Sequence, residues 1–366
     1  MKITSISVYK ADLPLKDGFK ISNGRVMRLL DTTVVSVQTD DGVTGWGETC
    51  PWGGDYLPAS ALSARAGIAD ICPHLIGHDP RNIHQIYAIM DAVLYGHPHA
   101  KSAIDMACWD ILGKALSMPL YSLLGGWMND EPVVNLMIPC EPGDILAEAM
   151  IDRRGRGLKQ FSLKATGNKT GDIELLRFVG ERLCAGESVK LDVNRGWLLR
   201  DALEISSATE DFNIHFEQPC ATYDECRKFR QTTGRIMVLD EVADDLSVVL
   251  RAHADGVLDA LNLKSARVGG LTKARLIRDV CVELGVPCYI QEPGGSDLCF
   301  AATAHMAHST PERFFITSWN CAEVLSVSIG SSDLVLGDAS MRLGSTPGLG
   351  VSPHMEILGE PVAVYQ

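Results

Sequence analysis

The sequence predicts an α/β fold in which a closed parallel barrel follows a smaller N-terminal α+β domain. Three observations predict it. Two stretches within the first fifty residues alternate apolar and polar side chains, helical patterns follow, and then eight short apolar runs each precede a further helical or irregular stretch. The polar residues that end five consecutive runs lie 23 to 28 residues apart, which is the length of one strand and one helix. Eight such units in series favour a closed barrel over an open sheet.

The N-terminal domain is expected to span residues 1–126 and to begin with an antiparallel meander. Period-two alternation and the turn at residues 40–42 predict strands at Ile3–Tyr9, Thr33–Gln38 and Thr44–Gly47. Apolar residues at three- and four-residue spacing then predict helices at Pro58–Ala69 and Ala100–Leu116. The second helix should stop near Pro119, because proline breaks a helical pattern.

The barrel is expected to span residues 127–333. Its eight strands are predicted at Val133–Ile138, Gln160–Lys164, Val189–Val193, Ile214–Glu217, Ile236–Leu239, Leu261–Leu263, Cys288–Gln291 and Phe315–Thr317. Residues 334–366 return to short strand-like pieces and turns, and we expect them to pack back on the N-terminal domain.

Composition and charge exclude several classes of protein. Asp and Glu outnumber Lys and Arg by 46 to 33, which gives a net charge of −13, and no basic run could track a phosphate backbone. Nucleic acid is therefore excluded as a partner. No apolar signal region and no run of about 18 apolar residues occurs, so we expect a cytoplasmic protein without a membrane segment. The eleven cysteines include no CxxC pair, which favours a reducing compartment.

Charged residues end five consecutive predicted strands of the barrel. They are Lys164, Asp192 with Asn194, Glu217, Asp240 with Glu241, and Lys264. One such residue is usually no more than the solvated end of a strand. The carboxyl ends of barrel strands, however, converge on one rim, where catalysis takes place. Five charged strand ends in succession therefore predict an active site.

The three central carboxylates, Asp192, Glu217 and Asp240, predict a site for a hard divalent ion such as Mg²⁺. The alternative is a set of surface acids in salt bridges, but carboxylates that face one cavity repel each other without a cation. Lys164 and Lys264 come two strands before and two strands after the middle carboxylate, so they should flank the ion. An apolar and cationic neighbourhood lowers the pKa of a lysine, so either could act as a base near pH 7.

A metal flanked by two lysines suits removal of a proton next to a carboxylate, because the ion stabilises the enediolate that forms. One lysine is expected to act as the base and the other as the acid. Return of the proton on the opposite face gives racemisation, and loss of a β-leaving group gives dehydration. A Schiff base on Lys264 is a competing enzyme class, but no phosphate-cradling glycine loop supports it. A solute-binding protein, the other alternative, needs no pair of basic lysines beside a metal.

At these residues the sequence resembles the enolase superfamily, and within it the muconate lactonizing enzyme subgroup. The resemblance covers essentially the whole chain. Its motifs are Ala103–Asp110 with Gly113-Lys114, Pro119-Leu120 through Gly125-Gly126, Asp192-Val193-Asn194, Glu217-Gln218-Pro219, Leu239-Asp240-Glu241, and Lys264 with Gly269-Gly270. The resemblance implies an α+β capping domain over a modified TIM barrel, (β/α)7β, with Mg²⁺ on the three carboxylates and acid/base catalysis by the two lysines. It also implies a homo-oligomer, often an octamer.

The sequence departs from this family at the second barrel strand. Relatives usually carry Lys-x-Lys there, whereas this chain has Ser162-Leu163-Lys164, which changes the tuning of Lys164 rather than its role. The seventh strand has no histidine, which excludes relatives similar to mandelate racemase and the sugar-acid dehydratases. At the eighth strand Ser318-Trp319-Asn320 replaces the Asp-x-Asp of dipeptide epimerases.

The resemblance also implies which residues bind the substrate. Trp319 is expected to lie over a secondary or quaternary ammonium by cation–π attraction, with Asp297 adding negative charge. Packing of Trp319 at the barrel rim is the alternative. Two loops of the capping domain are expected to close over the substrate as an aromatic lid. The expected substrate contacts are Ser162, Asn194, Glu241, Asp297, Trp319, Tyr56, Trp52 and Phe19.

The substrate that the resemblance implies is a small amino acid or a betaine. The lid residues, the Ser162-x-Lys164 variant and the loop 292–297 are similar to relatives acting on cis-3-hydroxy-L-proline, whose dehydration gives Δ1-pyrroline-2-carboxylate. Epimerisation of proline betaine or 4-hydroxyproline betaine is the alternative reaction.

Overall fold

The computed structural model describes the chain from residue 1 to 366, except residues 23, 24, 55 and 136, and except the side chains of residues 17–21 and 25. The predicted lid residue Phe19 therefore has its side chain outside the described residues. The described helices are α1 Ala61–Ile71, α2 Ile83–Val93, α3 Pro98–Leu116, α4 Leu120–Leu124, α5 Asp144–Gly155, α6 Lys169–Gly180, α7 Leu199–Ala208, α8 Tyr223–Thr233, α9 Leu246–Ala254, α10 Ser265–Val268, α11 Leu271–Glu283, α12 Asp297–His308 and α13 Met355–Leu358. Two short 3₁₀ turns occur at Cys72–His74 and Glu312–Phe314.

The described strands fall into one antiparallel sheet, one parallel sheet and short C-terminal pairs. They are β1 Ile3–Ile21, β2 Arg25–Thr39, β3 Thr44–Thr49, β4 Gln160–Lys164, β5 Ser188–Asp192, β6 Ile214–Glu217, β7 Ile236–Leu239, β8 Ala260–Lys264, β9 Cys288–Gln291, β10 Phe315–Ser318, β11 Gly330–Ser332, β12 Val335–Leu336, β13 Met341–Arg342, β14 Val351–Pro353 and β15 Ala363–Tyr365.

The N-terminal domain is an antiparallel sheet covered by helices. Its strand order is β15-β1-β2-β3, so the last strand of the chain pairs with the first. The strands β1 and β2 are longer than the predicted ones, because alternate burial continues through Ala11, Leu13 and Leu15 and the two strands stay paired beyond the sheet. The resulting long hairpin was not expected from the sequence.

Helix α3 packs against β3 at very short range. A Cβ atom at Gly45 or Gly47 would lie 2.1 or 2.0 Å from the carbonyl oxygens of Ala107 and Ala103. No side chain fits in that space, so the two glycines let the helix backbone rest on the strand. This contact fixes the segment from residue 49 onward, which reaches toward the barrel.

The barrel strands β4 to β10 form one parallel sheet in sequence order, each strand pairing with the next. This confirms the predicted α/β fold and the positions of seven barrel strands. The predicted first strand, Val133–Ile138, is not a regular strand: its described residues, which exclude 136, make isolated bridges. Asn135 N donates to Ser318 O at 2.9 Å and Ile138 N donates to Ser162 O at 3.1 Å. The segment therefore bonds to both edge strands of the sheet, and Val134 N also donates to Ala339 O in the C-terminal segment at 2.9 Å.

The C-terminal residues pack against both domains. β11 pairs with β14 and β12 with β13, while Gly348 bridges to Pro119, which directly precedes α4. The buried carboxylate of Asp110 in α3 accepts a hydrogen bond from Leu349 N at 2.8 Å. No helix within the described part of the chain is long and apolar enough to cross a membrane.

Candidate active site

The predicted polar residues lie at the carboxyl ends of neighbouring barrel strands. In the parallel register Lys164 pairs with Asp192, and Asp192 pairs with Glu217. Asp240 directly follows β7, and Lys264 ends β8. Because paired residues of a parallel sheet point to the same face, these side chains meet above the barrel interior. The row begins at Lys164 and ends at Lys264, as the spacing predicted.

Lys164 is held by the residues that follow β5. Its Nζ lies 2.5 Å from Asp192 Oδ2 and donates to Asn194 Oδ1 at 2.9 Å. Burial alone would lower the pKa of this lysine, but Asp192, Tyr56 and Glu217 together outweigh burial and raise it. The expected depression of the pKa is therefore wrong for Lys164, because the nearest charges are negative.

At the other end of the row, Asp240 is shared by two cations. Lys264 Nζ lies 2.9 Å from Asp240 Oδ2, and Arg267 Nη1 lies 2.5 Å from Asp240 Oδ1. Burial would raise the pKa of Asp240, but Arg267 and Lys264 together hold it well below the usual range. Arg267 was not among the predicted site residues. Its signal was its position one helical turn after Lys264, in the short helix α10.

Glu217, the middle carboxylate, is fully buried and engaged through both oxygens. Lys190 Nζ lies 2.6 Å from Glu217 Oε2, and Asn262 Nδ2 donates to Glu217 Oε1 at 2.5 Å. Burial first, and then the facing carboxylate of Asp192, raise the pKa of Glu217. The sequence analysis missed Lys190 and Asn262. Each lies two residues before a predicted site residue, and the period of two along a strand would have placed them on the same face.

The donor set fits a hard divalent ion in its chemistry, since it offers three carboxylates on neighbouring strands that face one another. Their mutual repulsion is visible in the raised pKa of Glu217, to which both Asp192 and Asp240 contribute. As they stand, however, no three His, Cys, Asp or Glu side chains of the described residues are arranged to hold a metal. Each carboxylate is instead turned toward a lysine or arginine. An ion would have to draw the carboxylates away from these partners.

Two further buried carboxyl groups lie beside the row. Asn194 Nδ2 donates to Glu241 Oε1 at 3.1 Å, and burial, reinforced by Asp240 and Asp192, raises the pKa of Glu241 to about 8. Glu292 follows β9, accepts a hydrogen bond from Ala266 N at 3.1 Å, and has its pKa raised by burial to about 7. Glu292 was quoted in a loop motif but was not predicted as a site residue.

A cavity above the barrel brings most of the predicted residues together. Its walls include the predicted residues Trp52, Tyr56, Ser162, Lys164, Asp192, Lys264 and Trp319. They also include residues that were not predicted, among them Asn135, Lys190, Glu292 and Thr317. Asn194, Glu217, Asp240 and Glu241 lie behind this wall and contact it through the bonds described above. The site is therefore assembled from both domains.

The capping segment reaches into the cavity through two aromatic residues. Tyr56 is buried, and its hydroxyl oxygen accepts a hydrogen bond from Lys264 Nζ at 3.0 Å. Burial, and then the charges of Asp240 and Glu241, raise the pKa of this phenol well above its usual range. Trp52 Nε1 donates to the carbonyl oxygen of Pro293. These contacts place two of the three predicted lid residues where the lid was expected.

Asp297 does not reach the cavity, so its predicted role beside the substrate ammonium is corrected. Its Oδ2 accepts hydrogen bonds from Ser328 Oγ and Ile329 N, both at 2.9 Å, and from Gly330 N at 3.2 Å. The carboxylate thus anchors the C-terminal segment to the start of α12. Nothing in the local sequence indicated this long-range partner.

Comparisons with known proteins agree with this architecture. Residues 3–125 match the N-terminal domain of the mandelate racemase/muconate lactonizing enzyme family, and residues 144–357 match the enolase C-terminal domain-like family. The chain is 41% identical to a cis-3-hydroxy-L-proline dehydratase from Roseibium aggregatum, with 100% of both sequences covered. It is 30% identical to an N-succinyl-L-Arg/Lys racemase from Bacillus cereus, covering 100% of this chain and 99% of the racemase.

Solved structures give the same result. An enolase superfamily member from Roseovarius nubinhibens superposes with a TM-score of 0.94 at 38% identity, covering 100% of this chain and 99% of that one. A second structure of an enolase superfamily member from this organism, complexed with magnesium, superposes with a TM-score of 0.93 at 38% identity and the same coverage.

Proposed function

The chain belongs to the enolase superfamily, within the mandelate racemase/muconate lactonizing enzyme family, and from this premise we propose that it is a magnesium-dependent hydro-lyase. The proposed reaction is the dehydration of cis-3-hydroxy-L-proline to Δ1-pyrroline-2-carboxylate. One observation carries the proposal: Lys164 and Lys264 stand at opposite ends of one row of carboxylates and line the same cavity. Such a pair provides an acid/base group on each side of a bound substrate.

The stereochemistry of the substrate suits two lysines on opposite sides. At C2 of the proline ring the α-proton and the carboxylate lie on opposite faces. A 3-hydroxyl that is cis to the carboxylate therefore lies on the face opposite to the α-proton. One lysine can remove the α-proton while the other protonates the departing hydroxyl from the other face. In the trans isomer both groups lie on one face, and this division of labour is lost.

The atoms of the reaction balance without an oxidant or reductant. The C–H bond at C2 and the C–O bond at C3 break, a double bond forms between C2 and C3, and water leaves. The resulting enamine takes up a proton at C3 and loses one from nitrogen to give the cyclic imine. When bound to Asp192, Glu217 and Asp240, a magnesium ion would act as a Lewis acid that stabilises negative charge developing on the substrate carboxylate.

The cavity wall that follows the adjacent strands β9 and β10 offers partners for the substrate nitrogen. Trp319 and Glu292 both line the cavity. A tryptophan face attracts an ammonium by cation–π interaction, and a neighbouring carboxylate adds charge attraction. Glu292 thus provides the negative charge beside the substrate nitrogen that was expected from Asp297. We assign the ring nitrogen of the substrate to this wall and its carboxylate to the metal side.

The experiment that tests the proposal is proton NMR of the Mg²⁺-loaded protein in D₂O. The substrates are cis-3-hydroxy-L-proline, its trans isomer, L-proline betaine and 4-hydroxyproline betaine. Conversion of the cis isomer to pyrroline carboxylate, with the trans isomer untouched, is the expected result. No conversion of the cis isomer would refute the proposal.

Epimerisation is a second candidate, because two lysines on opposite faces also suit removal of a proton on one side and its return on the other. The similarity to a racemase supports this alternative. In the same experiment it predicts deuterium at the α-carbon of a betaine together with its conversion to the epimer.

A further inference from the structure

Lys190 is a third lysine of the cavity, and the proposed reaction assigns no role to it. Its side chain is 7% exposed, and Nζ lies 2.6 Å from Glu217 Oε2 and 4.5 Å from the centre of the Tyr289 ring. Lys190 precedes Asp192 by two residues on β5, so the two side chains point to the same face of the strand. Its ammonium therefore lies one layer deeper in the barrel than the carboxylate of Asp192.

Ser162 and Lys190 are paired neighbours on β4 and β5. Paired residues of a parallel sheet share a face, and adjacent strands are about 4.8 Å apart, so a lysine at either position reaches the same part of the cavity. Both residues line that cavity. The hydroxyl oxygen of Ser162 accepts a hydrogen bond from Asn135 Nδ2 at 3.0 Å and carries no charge. Lys190 is thus the cation at this depth.

The ammonium of Lys190 has donors that no described oxygen uses. A lysine has three N–H donors, and within the described part of the chain Glu217 is its single ion-pair partner. The ring of Tyr289 attracts the charge but offers no oxygen in that contact. A buried ammonium with unused donors is costly unless a ligand or water supplies acceptors. A carboxylate bound in the cavity would supply them.

The charges around the cavity favour an anionic group there. The carboxylates of Asp192, Glu217 and Asp240 face four cations, namely Lys164, Lys190, Lys264 and Arg267. Two more carboxyl groups, Glu241 and Glu292, lie beside this cluster. Even with both ionised, the cluster becomes positive once a divalent ion binds, so the loaded cavity favours an anionic ligand. Lys190 lies on the wall of that cavity beside the uncharged Ser162.

We propose that Lys190 binds the substrate carboxylate from β5, as a specificity-determining residue for carboxylate-bearing ligands. This inference rests on the proposed function, because that function supplies the carboxylate. It predicts that a lysine placed at residue 162, the paired position on β4, can bind the substrate carboxylate in place of Lys190. A residue that merely supports Glu217 would act through the proposed metal ligand, so its replacement would lower the affinity for Mg²⁺ rather than the affinity of the Mg²⁺-saturated protein for a carboxylate.

The test is calorimetric binding of pyrrole-2-carboxylate to the Mg²⁺-saturated protein. This probe is a flat five-membered ring with the substrate's carboxylate and no α-proton, so it cannot react. Lys190→Met should weaken its binding by about tenfold to a hundredfold, the range for a lost hydrogen bond to a charged group. The double variant Ser162→Lys/Lys190→Met should recover most of the loss. Lys101→Met, which removes a buried lysine paired with Asp91 outside the cavity, is the matched control and should bind like wild type.

Three results would overturn the inference. They are wild-type affinity in Lys190→Met, failure of the double variant to bind more tightly than Lys190→Met, and absence of probe binding to the wild type. If the methionine variant unfolds, Lys190→Gln, which keeps a donor for Glu217, takes its place with the same expected loss. Mg²⁺ affinity is measured first, so that a loss of metal is separated from a loss of the probe. Turnover of cis-3-hydroxy-L-proline by the wild type judges the proposed function separately.

Discussion

The hydroxyl of Tyr56 lies 3.0 Å from Nζ of Lys264 and joins the capping domain to a lysine of the barrel. The two residues are 208 positions apart in sequence. Tyr56 also lies 3.4 Å from Asp240 Oδ2, which Lys264 contacts as well. The barrel therefore supplies the charged groups, and the capping domain supplies the hydroxyl that orients one of them. Neither domain contains the complete site.

Loss of the Tyr56 hydroxyl should slow turnover without unfolding the protein. In Tyr56→Phe the ring still fills its buried position, but Lys264 loses a hydrogen-bond partner worth about 1 kcal/mol. We expect kcat to fall by about fivefold to tenfold, measured by steady-state kinetics on the substrate identified by NMR. Tyr87→Phe is the control, because the buried Tyr87 hydroxyl donates to Gly269 O at 3.0 Å outside the cavity. Equal effects in the two variants would contradict the assigned role of Tyr56.

Neutralising the middle carboxylate should weaken the binding of magnesium. Glu217→Gln removes one of three proposed oxygen ligands and leaves Lys190 without its anionic partner. The Mg²⁺ dissociation constant should rise by at least about tenfold in calorimetry, since even changes that do not touch the metal directly have effects of that size. Glu187→Gln, at a buried carboxylate paired with Arg154 at 2.6 Å, is the control and should keep wild-type affinity. An unchanged constant in Glu217→Gln would remove this residue from the ligand set.

The barrel and the two catalytic candidates could be predicted because they depend on local regularities. The interval between charged strand ends is set by the length of one strand and one helix, and the carboxyl ends of the strands meet at one rim. Lys164 and Lys264 follow from that geometry alone. Lys190 and Asn262 follow from it too, but only when the period of two is applied backward along each strand. The deeper layer of the site therefore follows from the strand period as well.

Other parts of the site depend on contacts that no local pattern encodes. The carboxylate of Asp297 meets Ile329 and Gly330 because a C-terminal segment without a regular pattern folds over α12. The raised pKa of Lys164 depends on which side chain its ammonium faces, and the sequence does not specify that rotamer. The apolar residues of segment 133–138 predict a strand, yet the hydrogen bonds of its described residues go to two different strands and to Ala339.

The free energy of unfolding should decrease as the pH rises from about 4 to about 7. The cause is a buried aspartate that joins the two domains. Asp105 in α3 accepts hydrogen bonds from Thr272 N at 3.0 Å and Thr272 Oγ1 at 2.5 Å, and burial raises its pKa from 3.8 to about 7. The folded state therefore binds the proton more tightly than the unfolded state. Its contribution is complete below the unfolded pKa and is lost as the pH rises through the folded pKa.

The measurement is the free energy of unfolding in urea at pH 5 and pH 8. Asp105 should account for about 2 to 3 kcal/mol of the stability difference between the two pH values. Asp105→Asn, which cannot ionise, should lack this contribution. The variant should therefore lose less stability than the wild type when the pH is raised. The same loss in both proteins would show that Asp105 is not the titrating group.

Replacing either lysine should have a different effect on α-proton exchange, because the stereochemistry makes one lysine the base and the other the acid. Removal of the base should abolish both deuterium uptake at the α-carbon and dehydration. Removal of the acid should leave deuterium uptake in place while dehydration falls, since the α-proton can still be taken and returned on its own face. General acid or base catalysis contributes about a hundredfold to ten-thousandfold, so both variants should lose dehydration by that factor. We therefore expect one of Lys164→Met and Lys264→Met to exchange the α-proton of cis-3-hydroxy-L-proline in D₂O and the other not to. Two variants that behave alike in this NMR measurement would contradict the division of the base and acid roles between the two lysines.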